Sequence, residues 1–89
     1  MKSLSDAFML DMLSKVQPYQ GKVLATGRSA HIDGHYHDHL PFDMPPTIDF
    51  DFIVFEDNAI VKSFDFNASE TQEEVEALFA CLVAYVNAL

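Results

Sequence analysis

The residues best suited to chemistry gather in one nonapeptide. "HIDGHYHDH", residues 31–39, holds all four histidines of the chain, His31, His35, His37 and His39, with Asp33 and Asp38 between them. Imidazole ligates borderline metals such as zinc, nickel and copper, and it titrates near pH 6.5 when unperturbed. If the tract is one extended strand, alternation puts the four histidines and Asp33 on a single face. His35 and His37 then stand about 7 Å apart at Cα and can share an ion with a third ligand from an adjacent strand. His35 and His39, about 13 Å apart, share a tetrahedral site only if the chain bends. The metal candidates are therefore His35, His37 and His39, used as an adjacent pair with a carboxylate or His31. No cofactor is expected for the chain as a whole; zinc or nickel is the ion that would suit the tract if it binds one. Gly34 and the prolines that follow argue instead for a bent, solvent-facing loop, and neither a cysteine pair nor an H-E-x-x-H helix accompanies the tract. Protonation of the four histidines would reduce the net charge of −9, so a pH-sensitive interface is a further reading.

A second cluster lies downstream. In "TIDFDFIVF" (47–55) and "AIVKSFDFN" (59–67), Asp49, Asp51 and Asp65 are expected on the sheet face opposite the phenylalanines. Like charges placed across a hairpin repel, so a cation, a basic partner, or Arg28 or Lys22 from the first strand should neutralise them. Ile53, Phe55 and Val61 share that face, and an apolar patch beside an acidic one resembles a protein-binding surface. For catalysis the acid–base neighbours to consider are His37–Asp38 and His31/Asp33, and sequence proximity is poor evidence of geometry. No glycine loop cradles phosphate, so the chain reads as a non-enzyme.

Composition bounds these readings. The chain has 89 residues, 49% of them hydrophobic and eight of them Phe, which suffices for one domain, 1–89, with its own core. Cys81 is the one cysteine and forms no internal disulfide; it reads as a small packing residue, and a cytoplasmic location is the default. Asp6 and Asp11 interrupt the N-terminal apolar stretch, which is unlike a signal peptide. The longest apolar run, 77–86, is too short to cross a bilayer, which takes about 20 residues.

Charge is unevenly placed. Residues 1–32 carry Lys2, Lys15, Lys22 and Arg28 against Asp6 and Asp11, residues 33–76 carry twelve acids against Lys62, and residues 77–89 carry none. Such a field repels nucleic acid and anionic membranes and favours cations or a basic protein. Carboxylates at i, i+2 on a strand repeat at about 6.8 Å, comparable to phosphates along an extended nucleic-acid strand, so an inhibitor that mimics nucleic acid is a sharper variant.

The elements that must hold these residues follow from periodicity. Phe8, Met9, Met12, Leu13 and Val16 predict an amphipathic helix over roughly 4–16, capped by Ser3 and stopped by Pro18 and Gly21. "KVLATGRSAHI" (22–32) reads as a strand weakened by Gly27, and "LPFDMPP" (40–46) as an extended connection. "EDNA" (56–59) is the hairpin turn. A two-residue Asp57–Asn58 loop would pair Phe50 with Asp65 and mix acids with aromatics on both faces. A three-residue loop, 57–59, pairs Phe50 with Phe66, Phe52 with Phe64 and Asp51 with Asp65, and is preferred because it segregates them. Ser69 with Gln72, or Thr71 with Glu74, opens a final helix with a wide apolar stripe through Val75, Leu78, Phe79, Leu82, Val86 and Leu89. Its back, Ala77, Ala80, Cys81, Ala84 and Ala88, is small throughout and would suit close helix packing or a homodimer.

The expected fold is α+β, in the order α-β-β-β-α, with two helices on one face of a three-stranded antiparallel sheet. The expected function is a small acidic protein-interaction domain that self-associates and binds a basic partner. The competing reading is a metal-binding protein or small metalloenzyme centred on the histidine tract.

Overall fold

The computed structural model describes the backbone of residues 5–37 and 47–89 and the side chains of residues 5–34 and 49–89. Helix α1 (Asp6–Leu24) leads to strand β1 (Ser29–His37), then β2 (Thr47–Glu56), β3 (Ala59–Asp65), a one-turn 3-10 helix (Phe66–Ala68) and α2 (Gln72–Asn87). The strands form one antiparallel sheet in the order β1-β2-β3. The fold is α+β, as the sequence predicts. Ser3, His39 and the expected connection over 40–46 lie outside the described residues.

The core sits between the helices and one sheet face. Phe50, Phe52 and Val54 of β2 alternate inward and are fully buried, joined by Ala30, Phe64 and Phe66. The helices supply Met9, Met12, Val16 and Val23 from α1, and Val75, Leu82 and Val86 from α2. Ring contacts tie the layers: Tyr19 of α1 meets Phe79 of α2 edge-on at 5.9 Å, and Phe64 of β3 meets Tyr85 of α2 at 5.8 Å.

Helix α1 differs from its expected bounds at both ends. Ser5, not Ser3, caps it, accepting a hydrogen bond from the Phe8 N–H at 3.2 Å. Pro18 and Gly21 lie inside the helix instead of ending it. A proline in a helix interior costs about 3 kcal/mol, but burying a valine side chain returns about 1.5–3 kcal/mol. Val16 and Val23, both at 0% exposure, flank the proline, so packing carries the helix through while the ring faces solvent.

The first strand consequently starts later than expected. Val23 and Leu24 close α1, and Gly27, at φ 89°, makes the break in a conformation that suits glycine. The Gln20 side chain then donates to the Ala30 carbonyl at 2.8 Å, pinning β1 to α1. Most of the histidine tract is thereby strand rather than bent loop: residues 31–37 all pair with β2.

The hairpin combines the two alternatives that the sequence sets against each other. Asp57 and Asn58 have φ of 53° and 66°, and Glu56 pairs with Ala59, so the loop has two residues and not the three expected. Two successive positive φ values define a type I′ turn, the form whose twist matches the strands. The register then shifts at a β-bulge: Phe55 faces Ile60, but Val54 faces Lys62. Val61 is the extra residue. Past the bulge, Phe52 pairs with Phe64 and Asp51 with Asp65, the register that separates aromatics from acids. Phe66 has left the strand for the 3-10 turn, yet its ring stacks on Phe50 at 4.6 Å.

Helix α2 takes the Thr71–Glu74 form of the capping box. Thr71 Oγ1 accepts from the Glu74 N–H at 3.2 Å, and the Glu74 carboxylate accepts from the Glu70 N–H at 2.9 Å.

Gly21 gives a direct test of packing against propensity. A Cβ there would meet nothing within 4 Å, and the residue is exposed and helical. Gly21→Ala should stabilise by about 0.5–1 kcal/mol, raising the melting temperature by roughly 2–8 °C for a domain of this size. Thermal unfolding followed by circular dichroism checks this. No change, or a fall, would mean that α1 is not helical through that position in solution.

Candidate functional site

The sheet face turned away from the core carries the candidate residues. Antiparallel pairing sets them in rows across the strands: Ser29, Phe55 and Ile60; His31, Ile53 and Ser63; Asp33, Asp51 and Asp65. One row further along β1 and β2, His35 faces Asp49. Directly opposed residues have Cβ atoms about 4.5–5.5 Å apart, and successive rows on one face repeat at about 6.8 Å.

The aspartate row spans all three strands, one residue from each. Asp51 and Asp65 are the pair the sequence leads one to expect. Asp33 extends the row because β1 continues past Ile32 in register with β2. Unit charges 5 Å apart repel by about 1–3 kcal/mol at effective dielectric constants between those of water and a protein surface. The 3-10 turn offsets part of this. Asn67 donates its side-chain Nδ2 to Asp51 Oδ1 at 3.0 Å and its backbone N–H to Asp65 Oδ1 at 2.9 Å. A carboxylate can only accept, so this contact fixes the orientation of the Asn67 amide. Its Oδ1 is left buried, with no partner among the described residues.

Arg28 and Lys22 do not make the expected contact with this row. Arg28 pairs with Glu56 at 3.8 Å, because β1 starts at Ser29 and leaves Arg28 at the hairpin end of the sheet. Lys22 is in α1, its ammonium 4.7 Å from the Tyr19 ring centre. Lys15 pairs with Asp11 at 3.2 Å, and Lys62 lies 5.4 Å from the Phe64 ring and 6.0 Å from that of Tyr85.

The apolar part of the face lies at the hairpin end. Ile53 and Phe55 are half-buried, and neither joins the core. Val61, expected beside them, is the bulge residue, 45% exposed; Ile60 takes the position opposite Phe55 and is 62% exposed. Sequence reasoning missed Ile60 and Asn67. The Asp-Asn dipeptide was the signal for the first, since it favours a two-residue turn and so requires a bulge to keep the aromatic register. The capture of Asp51 by Asn67 is a tertiary contact without a sequence signature.

His31 is exposed and faces Ile53 across the β1–β2 pair. Among the described residues no three His, Cys, Asp or Glu side chains converge to hold a metal ion, and no helix is long and apolar enough to cross a membrane. The small residues on the back of α2, Ala77, Ala80, Cys81, Ala84 and Ala88, are all exposed, so Cys81 does not pack inside the molecule. Comparison of the chain with family models, with characterised proteins and with solved structures gives no match.

The electrostatic strain in the aspartate row can be read through Asn67. Asn67→Ala removes the donor to Asp51 and should lower stability by about 1–2 kcal/mol. Asn67→Asp also adds a carboxylate beside Asp51, so its loss should exceed that of Asn67→Ala at low salt and the gap should narrow toward 1 M salt, where the Debye length is about 3 Å. Denaturant unfolding of both variants at two ionic strengths measures this. A gap unaffected by salt would refute repulsion as its cause.

Proposed function

We propose that this chain is a non-enzymatic protein-interaction domain that binds a basic partner through the outer face of its sheet. The aspartate row carries the reading. Asp33, Asp51 and Asp65 stand on adjacent strands, and Asp49 lies one row away. Ile53, Phe55 and the exposed Ile60 and Val61 add an apolar surface at one end. Apolar contact supplies affinity in such surfaces, while charge supplies specificity and speed of encounter. A Lys- or Arg-rich surface matches this arrangement, and a nucleic-acid-binding groove is the sharper form of the same partner.

Self-association belongs to the reading as well. The exposed alanines of α2 and the absence of charge after Glu76 allow two copies of that helix to approach closely. Sedimentation equilibrium should then give a mass above 10.0 kDa that rises with concentration.

The partner test uses reversal of charge. Proteins co-purifying with the tagged chain are identified by mass spectrometry, and the binding constant for the chief partner is measured against salt. Asp49, Asp51 and Asp65 changed together to Lys should abolish capture, and wild-type affinity should fall steeply with ionic strength. Capture unaltered by the reversal, or affinity insensitive to salt, would refute the acidic face as the docking surface. Competition by duplex DNA for the same partner selects the nucleic-acid-mimic form.

A further inference from the structure

Strand β1 is an edge of the sheet, and no described strand lies beyond it. Its pairing with β2 runs residue for residue from Ser29 to His37, without a bulge, a lysine or a proline. Such an edge leaves backbone N–H and C=O groups open to another strand. Helix α1 lies over the same flank. Successive helical residues turn by about 100°, so Leu10, Leu13, Gln17, Gln20 and Leu24 form one stripe. The hydrogen bond from Gln20 to the Ala30 carbonyl puts this stripe on the β1 side of α1, while Tyr19, against Phe79, marks the α2 side. Leu10 and Leu24 are 50% and 56% exposed, and Leu13 is half-buried. Ile32 of β1 lies on the core face, opposite Phe52, yet it is only partly covered. Apolar surface and open strand edge thus run side by side.

We propose that this flank joins a second copy of the chain, β1 against β1 in antiparallel pairing, about a two-fold axis at Ile32. The inference rests on the self-association proposed above and gives it a surface distinct from the alanines of α2. Side chains alternate, so only axes that keep like faces together are allowed. Among the side chains described on β1, the axis at Ile32 is the one that pairs complementary chemistry. It sets Ile32 against its own copy on the core face, and His31 against Asp33 of the second copy, twice, on the outer face. An axis at Asp33 would set that carboxylate against itself. Opposed Cβ atoms stand about 4.5–5.5 Å apart, within reach for an imidazole N–H to donate to a carboxylate. The helices fit the same arrangement. Helix α1 packs on both β1 and β2, so its axis lies between them. The two α1 axes then fall two strand spacings apart, about 10 Å, close to the 8–10 Å at which helices pack. The leucine stripes face each other across that gap. Each copy spends its β1 edge, so the contact closes at two copies, with three strands from each in one sheet.

Sedimentation equilibrium of the full chain at pH 7 tests it, with circular dichroism to check that each variant is folded. The wild type should reach twice the 10.0 kDa of one chain. His31→Asp should weaken the dimer by about tenfold or more, since both pairs across the axis turn from attractive to repulsive. Exchange of the two residues, His31→Asp with Asp33→His, restores opposite partners and should restore the dimer. Leu10→Lys with Leu24→Lys, at positions exposed in the single chain, should also dissociate it. Ala84→Glu, on the exposed back of α2, should leave it intact. A monomeric wild type overturns this inference and self-association as a whole. A dimer that Ala84→Glu dissociates and His31→Asp does not overturns this inference alone and leaves α2 as the contact. Failure of the exchanged variant to recover the dimer refutes pairing about Ile32.

Discussion

Two demands on the hairpin differ by a single residue, and the rest of the molecule depends on how they are reconciled. The Asp57–Asn58 dipeptide closes a two-residue turn at positive φ. The aromatic residues beyond it need a register that such a turn does not supply. Side chains alternate along a strand, so continuing the turn's register would send Phe64 to the outer face and Asp65 into the core. The bulge at Val61 absorbs the difference. Phe52 then meets Phe64, Phe66 reaches Phe50, and the helices have an unbroken aromatic floor to pack on. The same shift brings Asp51 and Asp65 together on the other side. Core and acidic face are two products of one offset.

The helices respond to that floor more than to their own propensities. Helix α1 passes through a proline and a glycine because Val16 and Val23 are buried on either side of them. Its extra length moves the start of β1 to Ser29, and the Gln20–Ala30 hydrogen bond holds the strand there. Placement of the histidines along β2 thus follows from packing fifteen or so residues upstream. Helix α2 begins where its capping box dictates, and Tyr85 closes over Phe64.

Element types and order were legible in the sequence where period and chemistry agree, as in β2 and α2. The aromatic register was legible too, because only one pairing segregates Phe from Asp. The bulge was not: preferring one loop length over another left out the option of using both registers in succession. The end of α1 was hidden for a related reason, since Pro18 and Gly21 are local stop signals overruled by burial of residues far apart in the chain. For the candidate site, Asp49, Asp51 and Asp65 could be placed on a face from alternation alone. The addition of Asp33 to their row needed the true extent of β1.

The bulge at Val61 has a consequence for the sheet's outer margin. Strand β3 is an edge of the three-stranded sheet, and an edge whose hydrogen-bonding groups run in regular sequence invites another strand to add to it. An extra residue breaks that regular sequence, and Lys62 beside it puts a charge midway along the strand. Both features discourage templated growth into larger sheets. The irregularity that sorts aromatics from acids inside the hairpin therefore also guards the chain against aggregation through its edge, despite the exposed Ile60 and Val61 that lie there.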